Sequence, residues 1–308
     1  MLTPSLQKSF SFLLVGAAAI AQPTSCAESA DYIDVANTRV AIRWRGPMAD
    51  VSRSGIVEWI ARSANIVARY YGMFPVRAVA IAVTTTDGES MGSGRTFGHG
   101  DPHIEVTVGQ HVSAQTLLAD WVLIHEMIHL SLPEVADEYS WFAEGVATYV
   151  EGVARVQAGN MSEAELWEEY FKAMPRGLPQ PNDRGLDNTH TWARTYWGGA
   201  LYCLFADARI REQTHNRRGL QDALRAIARA GGAMATEWPL QRILTTGDAA
   251  THTTVLTDLY LMMRDRPVAP DLSKLWIDLG ISMSDGAVQL DNSARLADAR
   301  RAITMRAK

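Results

Sequence analysis

The 308-residue chain predicts an α+β fold, with a small mixed sheet early in the chain and a mainly helical part after it. Three observations carry this. Short β-rich runs, TRVAIRWRG, VRAVAIAVTTT and HIEVTVG, fall between residues 38 and 109. From residue 194 onward, apolar positions recur at helical spacing. Between the two lies WVLIHEMIHL, residues 121–130, an apolar run that nevertheless carries two histidines and a glutamate.

Taken in order, TRVAIRWRG alternates, with Val40, Ile42 and Trp44 on one face of a strand. Val51, Ile56, Trp59, Ile60, Ile66, Val67 and Tyr70 have helical spacing over 51–72. VRAVAIAVTTT is a second strand. The glycines of DGESMGSGRTFGHGDP mark a loop, and HIEVTVG is a short strand expected at the sheet edge. Residues 117–130 predict one helix, stopped by Pro133. Another is expected over 141–158, and Ser162 with Glu165 forms a capping box that opens a third. Residues 174–191 are rich in Pro, Gly, Asn and Asp and predict a long loop. Helices are expected over 194–213, 218–230, 238–245, 251–264 and near 291–306, with Asp207, Arg209 and Arg211 on a solvated face.

The first residues predict a secretory signal rather than part of the fold. Lys8 precedes FSFLLVGAAAIA, an apolar run too short for a membrane span, which needs about 20 residues. Small residues permit cleavage after Ala21 or Ala27. Pro23, three places before Cys26, argues against a lipid on that cysteine. The expected organisation is a signal peptide over 1–27, a sheet-bearing part over 28–173 and a helical part over 174–308. The expected destination is the periplasm or the exterior, with no membrane span once the signal is removed. Cys203, in GGALYCLF, is expected as a small buried hydrophobe and not a nucleophile. A net charge of -5 argues against a nucleic-acid partner.

The histidines of residues 121–130 have a specific spacing. Four residues apart on a helix, His125 and His129 share one face and can reach one ion. Glu126 is rotated about 100° from His125, beside such an ion rather than on it, where it can take a proton from water. A catalytic zinc site needs a third protein ligand. Downstream, WFAEGVATYVEG offers Glu144 near the start of the next helix; a helix-turn-helix return places it opposite the histidines. Thr148, one turn later, is a candidate to hydrogen-bond a histidine or Glu144. His99, His103 and His190 are weaker candidates for the same cleft.

HEMIH followed by WFAEGVATYVEG resembles the gluzincin zinc metallopeptidases of the peptidase-MA-like group, which includes the glycyl aminopeptidase family. The likeness covers roughly residues 75–305 and implies a zincin-like domain with an HExxH helix. It also implies Zn2+ held by His125, His129 and Glu144, with Glu126 as general base. Fourteen residues separate His129 from Glu144, and no third histidine follows at the metzincin interval. RTYWGG resembles the Tyr-x-Lys-Gly segment of gluzincin aminopeptidases, which implies that Tyr196 holds the oxyanion. Gly198 stands in place of the lysine. The function so implied is an exported zinc peptidase acting on a peptide or protein substrate, with endo- and aminopeptidase action both open. The alternatives are a zinc-binding relative that processes nothing, and a helical protein in which HExxH is accidental; metal content separates the second from the rest.

Overall fold

Five strands form one mixed sheet in the order β1-β2-β3-β5-β4. They are β1 (Ala30–Val35), β2 (Thr38–Arg45), β3 (Ala78–Thr86), β4 (Met91–Phe97) and β5 (His103–Gly109). A computed structural model of the chain describes residues 30–46, 52–98 and 100–305. The predicted signal, including Cys26, lies outside the described residues, as do Val51 and His99. No helix among the described residues is long and apolar enough to cross a membrane.

β2, β3 and β5 run parallel, with Ile42, Ile81 and Ile104 in register across the sheet. Parallel neighbours need a crossover. The helix α1 (Arg53–Tyr71) supplies the one between β2 and β3, capped by Ser52 and ended by Gly72 in a left-handed conformation. Its apolar face, with Ile56, Trp59, Ile60 and Val67 fully buried, lies between the sheet and the helices that follow.

The glycine-rich stretch expected as a loop contains β4, which pairs antiparallel with β5 and takes the edge. HIEVTVG is therefore an interior strand and not the edge. The single helix expected over 117–130 is two, α2 (Ala114–Ala119) and α3 (Val122–His129). Asp120 makes the break. Its carboxylate accepts the Val122 and Leu123 N–H groups at 3.1 Å each, and Trp59 Nε1–H at 3.0 Å, so the acid starts α3 instead of sitting inside a longer helix.

α4 (Ser140–Ala158) and α5 (Glu163–Ala173) follow, α5 opened by the predicted Ser162/Glu165 capping box. The helix expected from 194 begins with a π-helical turn, Arg194–Gly198, and continues as α6 (Gly199–Thr214). The first turns of α6 are buried all round, as the apolar run GALYCLFA requires. Cys203 lies there as a buried thiol. Asp207 and Arg211 are not solvated: both are buried, joined at 2.8 Å, with Tyr149 OH and the Leu220 N–H donating to Asp207 at 3.0 Å.

The remaining helices are α7 (Leu220–Arg229), α8 (Leu240–Thr251), α9 (Val255–Met263), α10 (Leu272–Leu279) and α11 (Ala297–Thr304). A hairpin of β6 (Ile281–Ser284) and β7 (Ala287–Leu290) sits among them, turning at Asp285-Gly286, both at positive φ. This Asp-Gly pair is the sequence signal for the hairpin.

Candidate metal centre

α3 carries His125, Glu126 and His129 in a heavily buried setting, at 4%, 8% and 8% exposure. The turn after α3 is pinned from the far end of the chain. Glu134 N–H donates to the Thr236 carbonyl at 2.8 Å, and Trp238 N–H to the Glu134 carbonyl at 3.0 Å. The chain then returns along α4, and Glu144 arrives opposite the two histidines. Its Oε2 lies 3.2 Å from His125 Nε2 and 3.5 Å from His129 Nε2.

These distances test whether an ion fits. Donors about 2.0–2.1 Å from a tetrahedral zinc ion stand about 3.3–3.4 Å from one another. The two measured separations, 3.2 and 3.5 Å, bracket that value, and all three donor atoms lie within 4.8 Å of one another. Two imidazoles and a carboxylate are also the right chemistry for zinc. The residues fit the metal.

The electrostatics agree with a cation site. Burial alone would raise the Glu144 carboxyl, but the His125 and His129 imidazoles outweigh it and hold it well below the usual carboxylate range. Burial pulls the His125 imidazole down and so favours the neutral, ligating form. It pulls His129 down too, yet the Glu144 and Glu126 carboxylates prevail there and raise it. A carboxylate facing two imidazoles compensates charge in a buried place where an isolated ion would be costly.

Glu126 lies outside the triad of donors. Thr96, on the edge strand β4, donates its hydroxyl to Glu126 Oε2 at 2.7 Å and sits 2.8 Å from the Glu126 carbonyl oxygen. One residue pair earlier, a Cβ on Gly94 would stand 2.6 Å from Glu126 Cγ and 2.9 Å from Val122 Cγ1. A glycine is what lets the strand approach α3 closely enough for Thr96 to hold the carboxylate. Thr96 and Gly94 lie in a stretch whose glycines predict a loop, and no sequence pattern singles them out.

Tyr196 comes from the π-helical turn. Its ring lies nearly parallel to that of His125, with centroids 6.1 Å apart. Burial first, then the Glu144 and Glu126 carboxylates, push its phenol up to about 12, so at neutral pH it keeps its proton and is a donor. α4 and α6 cross with glycine against glycine: a Cβ on Gly145 would overlap the Gly199 backbone, and one on Gly199 would overlap the Trp141 carbonyl. That contact draws Tyr196 toward Glu144. It also explains the glycines of the two sequence segments, AEGVA and YWGG.

A cleft of about 650 Å³ opens beside these residues, lined by Thr96, Glu126, His129, Glu144, Tyr196 and Met234 among others. Trp121 and Trp192, 51% and 60% exposed, pack on His125 and Tyr196 respectively. A larger open concavity of about 1180 Å³ lies elsewhere, lined by α1 and α7 residues, and shares none of the site residues. The weaker candidates do not join the group. Thr148 Oγ1 is buried without a hydrogen-bond partner, so it bonds neither a histidine nor Glu144. His103 stacks on Phe97 and its Nδ1 lies 3.1 Å from the Asp101 carbonyl. His190 is exposed on its loop.

The mixed sheet, the helix α3 and the three donors that converge on it make a zincin-like architecture. No family model and no curated protein matches the chain. Among solved structures it is similar to an aminopeptidase N family protein from Idiomarina loihiensis, with a TM-score of 0.61 and 14% identity over 83% of this chain and 49% of that one. It is also similar to an M1 zinc metallopeptidase mutant from Deinococcus radiodurans, bound to a Tyr-Ser-Ala substrate. There the TM-score is 0.50 and the identity 15%, over 79% of this chain and 52% of the other. The structural neighbours are thus M1 zinc metallopeptidases, and the likeness establishes the fold. The chain spans about half the length of these structures.

Proposed function

We propose that this chain is a zinc-dependent peptidase in which His125, His129 and Glu144 hold the metal, Glu126 is the general base and Tyr196 serves the oxyanion. The observation that carries the proposal is the convergence of three zinc donors on one point, with a carboxylate that is not a ligand beside them. Zinc in this site would lower the pKa of a bound water toward about 7 and polarise a substrate carbonyl.

The protein's own groups do the rest. Glu126, aimed by Thr96, takes a proton from the attacking water and passes it to the leaving amine. The Tyr196 hydroxyl donates to the oxygen on which charge develops. The cleft between β4 and α4 takes the peptide. In this reading residues 28–173 supply the metal ligands and base, and residues 174–308 supply the phenol. The apolar run predicted as a signal supports export to the periplasm or exterior.

Purified protein is expected to carry about one zinc per chain and to hydrolyse unstructured peptides, losing that activity to a chelator and regaining it with zinc. Elemental analysis beside a peptide-cleavage assay checks this. Protein that arrives metal-free and refuses added zinc ends the proposal. Tyr196→Phe is expected to keep its zinc and slow turnover by roughly 10²–10³-fold, the range for loss of one oxyanion donor. Steady-state kinetics with zinc content measured on the same sample decide it, and parental turnover would remove the phenol from the mechanism.

A further inference from the structure

We infer that the buried ion pair of Arg194 and Asp183 is the positioning device for Tyr196. The inference rests on the role proposed above for that phenol. Tyr196 sits on a π-helical turn, Arg194–Gly198. Such a turn holds one residue more than an α-helical turn and is stable only where its surroundings hold it. Arg194 opens this turn and is 2% exposed.

Its guanidinium reaches out of the helix into the long loop. Nε meets Asp183 Oδ2 at 2.9 Å, with both side chains almost wholly buried. Nη1 donates to the Gly177 carbonyl at 2.6 Å. Asp183 is itself held, its Oδ1 accepting the Gly185 N–H at 2.8 Å. Two separate points of the loop therefore grip the base of the turn. The Asp183 contact is a charge pair, since Arg194 Nε and Nη2 make no hydrogen bond, and the directional contact is the one from Nη1 to Gly177.

The same side chain lies against Gly198. A Cβ there would stand 3.0 Å from Arg194 Cδ and 3.2 Å from Nη1. Arg194 thus packs over the position at which the resembled segment carries its lysine, and a side chain at 198 would press on it by a few tenths of an ångström. Neither Arg194 nor Asp183 lines the cleft. Both act through Tyr196 and touch no reacting atom.

The test is a double-mutant cycle of Asp183→Asn and Tyr196→Phe, reading kcat, KM and zinc content in the full chain. Asp183→Asn is expected to lower kcat by about 10–100-fold, the scale of a misplaced catalytic group, with KM and zinc unchanged. In the Tyr196→Phe background it should lower kcat no further, because the group it positions has already gone. Equal factors in both backgrounds, or no loss in either, overturn the inference and leave the reading of Tyr196 standing. A Tyr196→Phe variant that cleaves at the parental rate overturns that reading and the inference with it. Should Asp183→Asn fail to fold, Arg194→Lys takes its place. It keeps the charge but cannot make both contacts, so it should show a smaller loss that also vanishes in the Tyr196→Phe background; an additive loss overturns the inference.

Discussion

Glu126→Gln is expected to keep its zinc while turnover falls by about 10²–10⁴, the usual worth of general-base catalysis. The reason is geometric. Glu126 stands off the His125–His129–Glu144 donor group, and its carboxylate is occupied by Thr96. The amide of glutamine has nearly the same shape, so the packing of β4 on α3 survives, but it cannot accept a proton from water. Metal content and kcat measured on one preparation separate the two effects. A variant that cleaves as fast as the parent would show that hydrolysis does not use this carboxylate at all.

Glu144→Ala should fail in the opposite way. It removes one of three donors, so zinc affinity should fall by more than the about 10–100-fold that losing an outer hydrogen bond to a ligand typically costs. Stability should follow, because metal binding favours the folded state. Competition against a chromogenic chelator reports the affinity, and thermal melts with and without zinc report the coupling. If Glu144→Ala holds its metal while Glu126→Gln loses it, the two glutamates have exchanged roles.

What could be read in the sequence divides by distance along the chain. His125, Glu126 and His129 were legible because one helical turn defines their relation. Glu144 was legible because a short return leads to it. The fold class followed from the same short-range periodicities. The edge strand β4 was not legible: Gly92 and Gly94 interrupt the alternation that marks a strand, and Gly94 is needed for contact with Glu126. The break at Asp120 was missed because an acid in an apolar run can be an interior residue or a cap, and only the distant Trp59 indole and the α3 amides show which. The π-helical turn escaped because a 3.6-residue pattern has no place for its extra residue. The ion pair that grips it joins residues from a loop whose composition says nothing of what it holds.

The glycine crossing of α4 and α6 has a mechanical consequence. With backbone seated on backbone at Gly145 and Gly199, there is no side chain at the contact to compress or rotate. The α4 and α6 backbones therefore set the spacing from Glu144 to Tyr196 directly, with no rotamer between them. Opposite, His125, Glu126 and His129 ride on α3, which packs on both α4 and β4. A side chain at either glycine would part the two helices and so change the distance from the carboxylate to the phenol, leaving the α3 residues where they are.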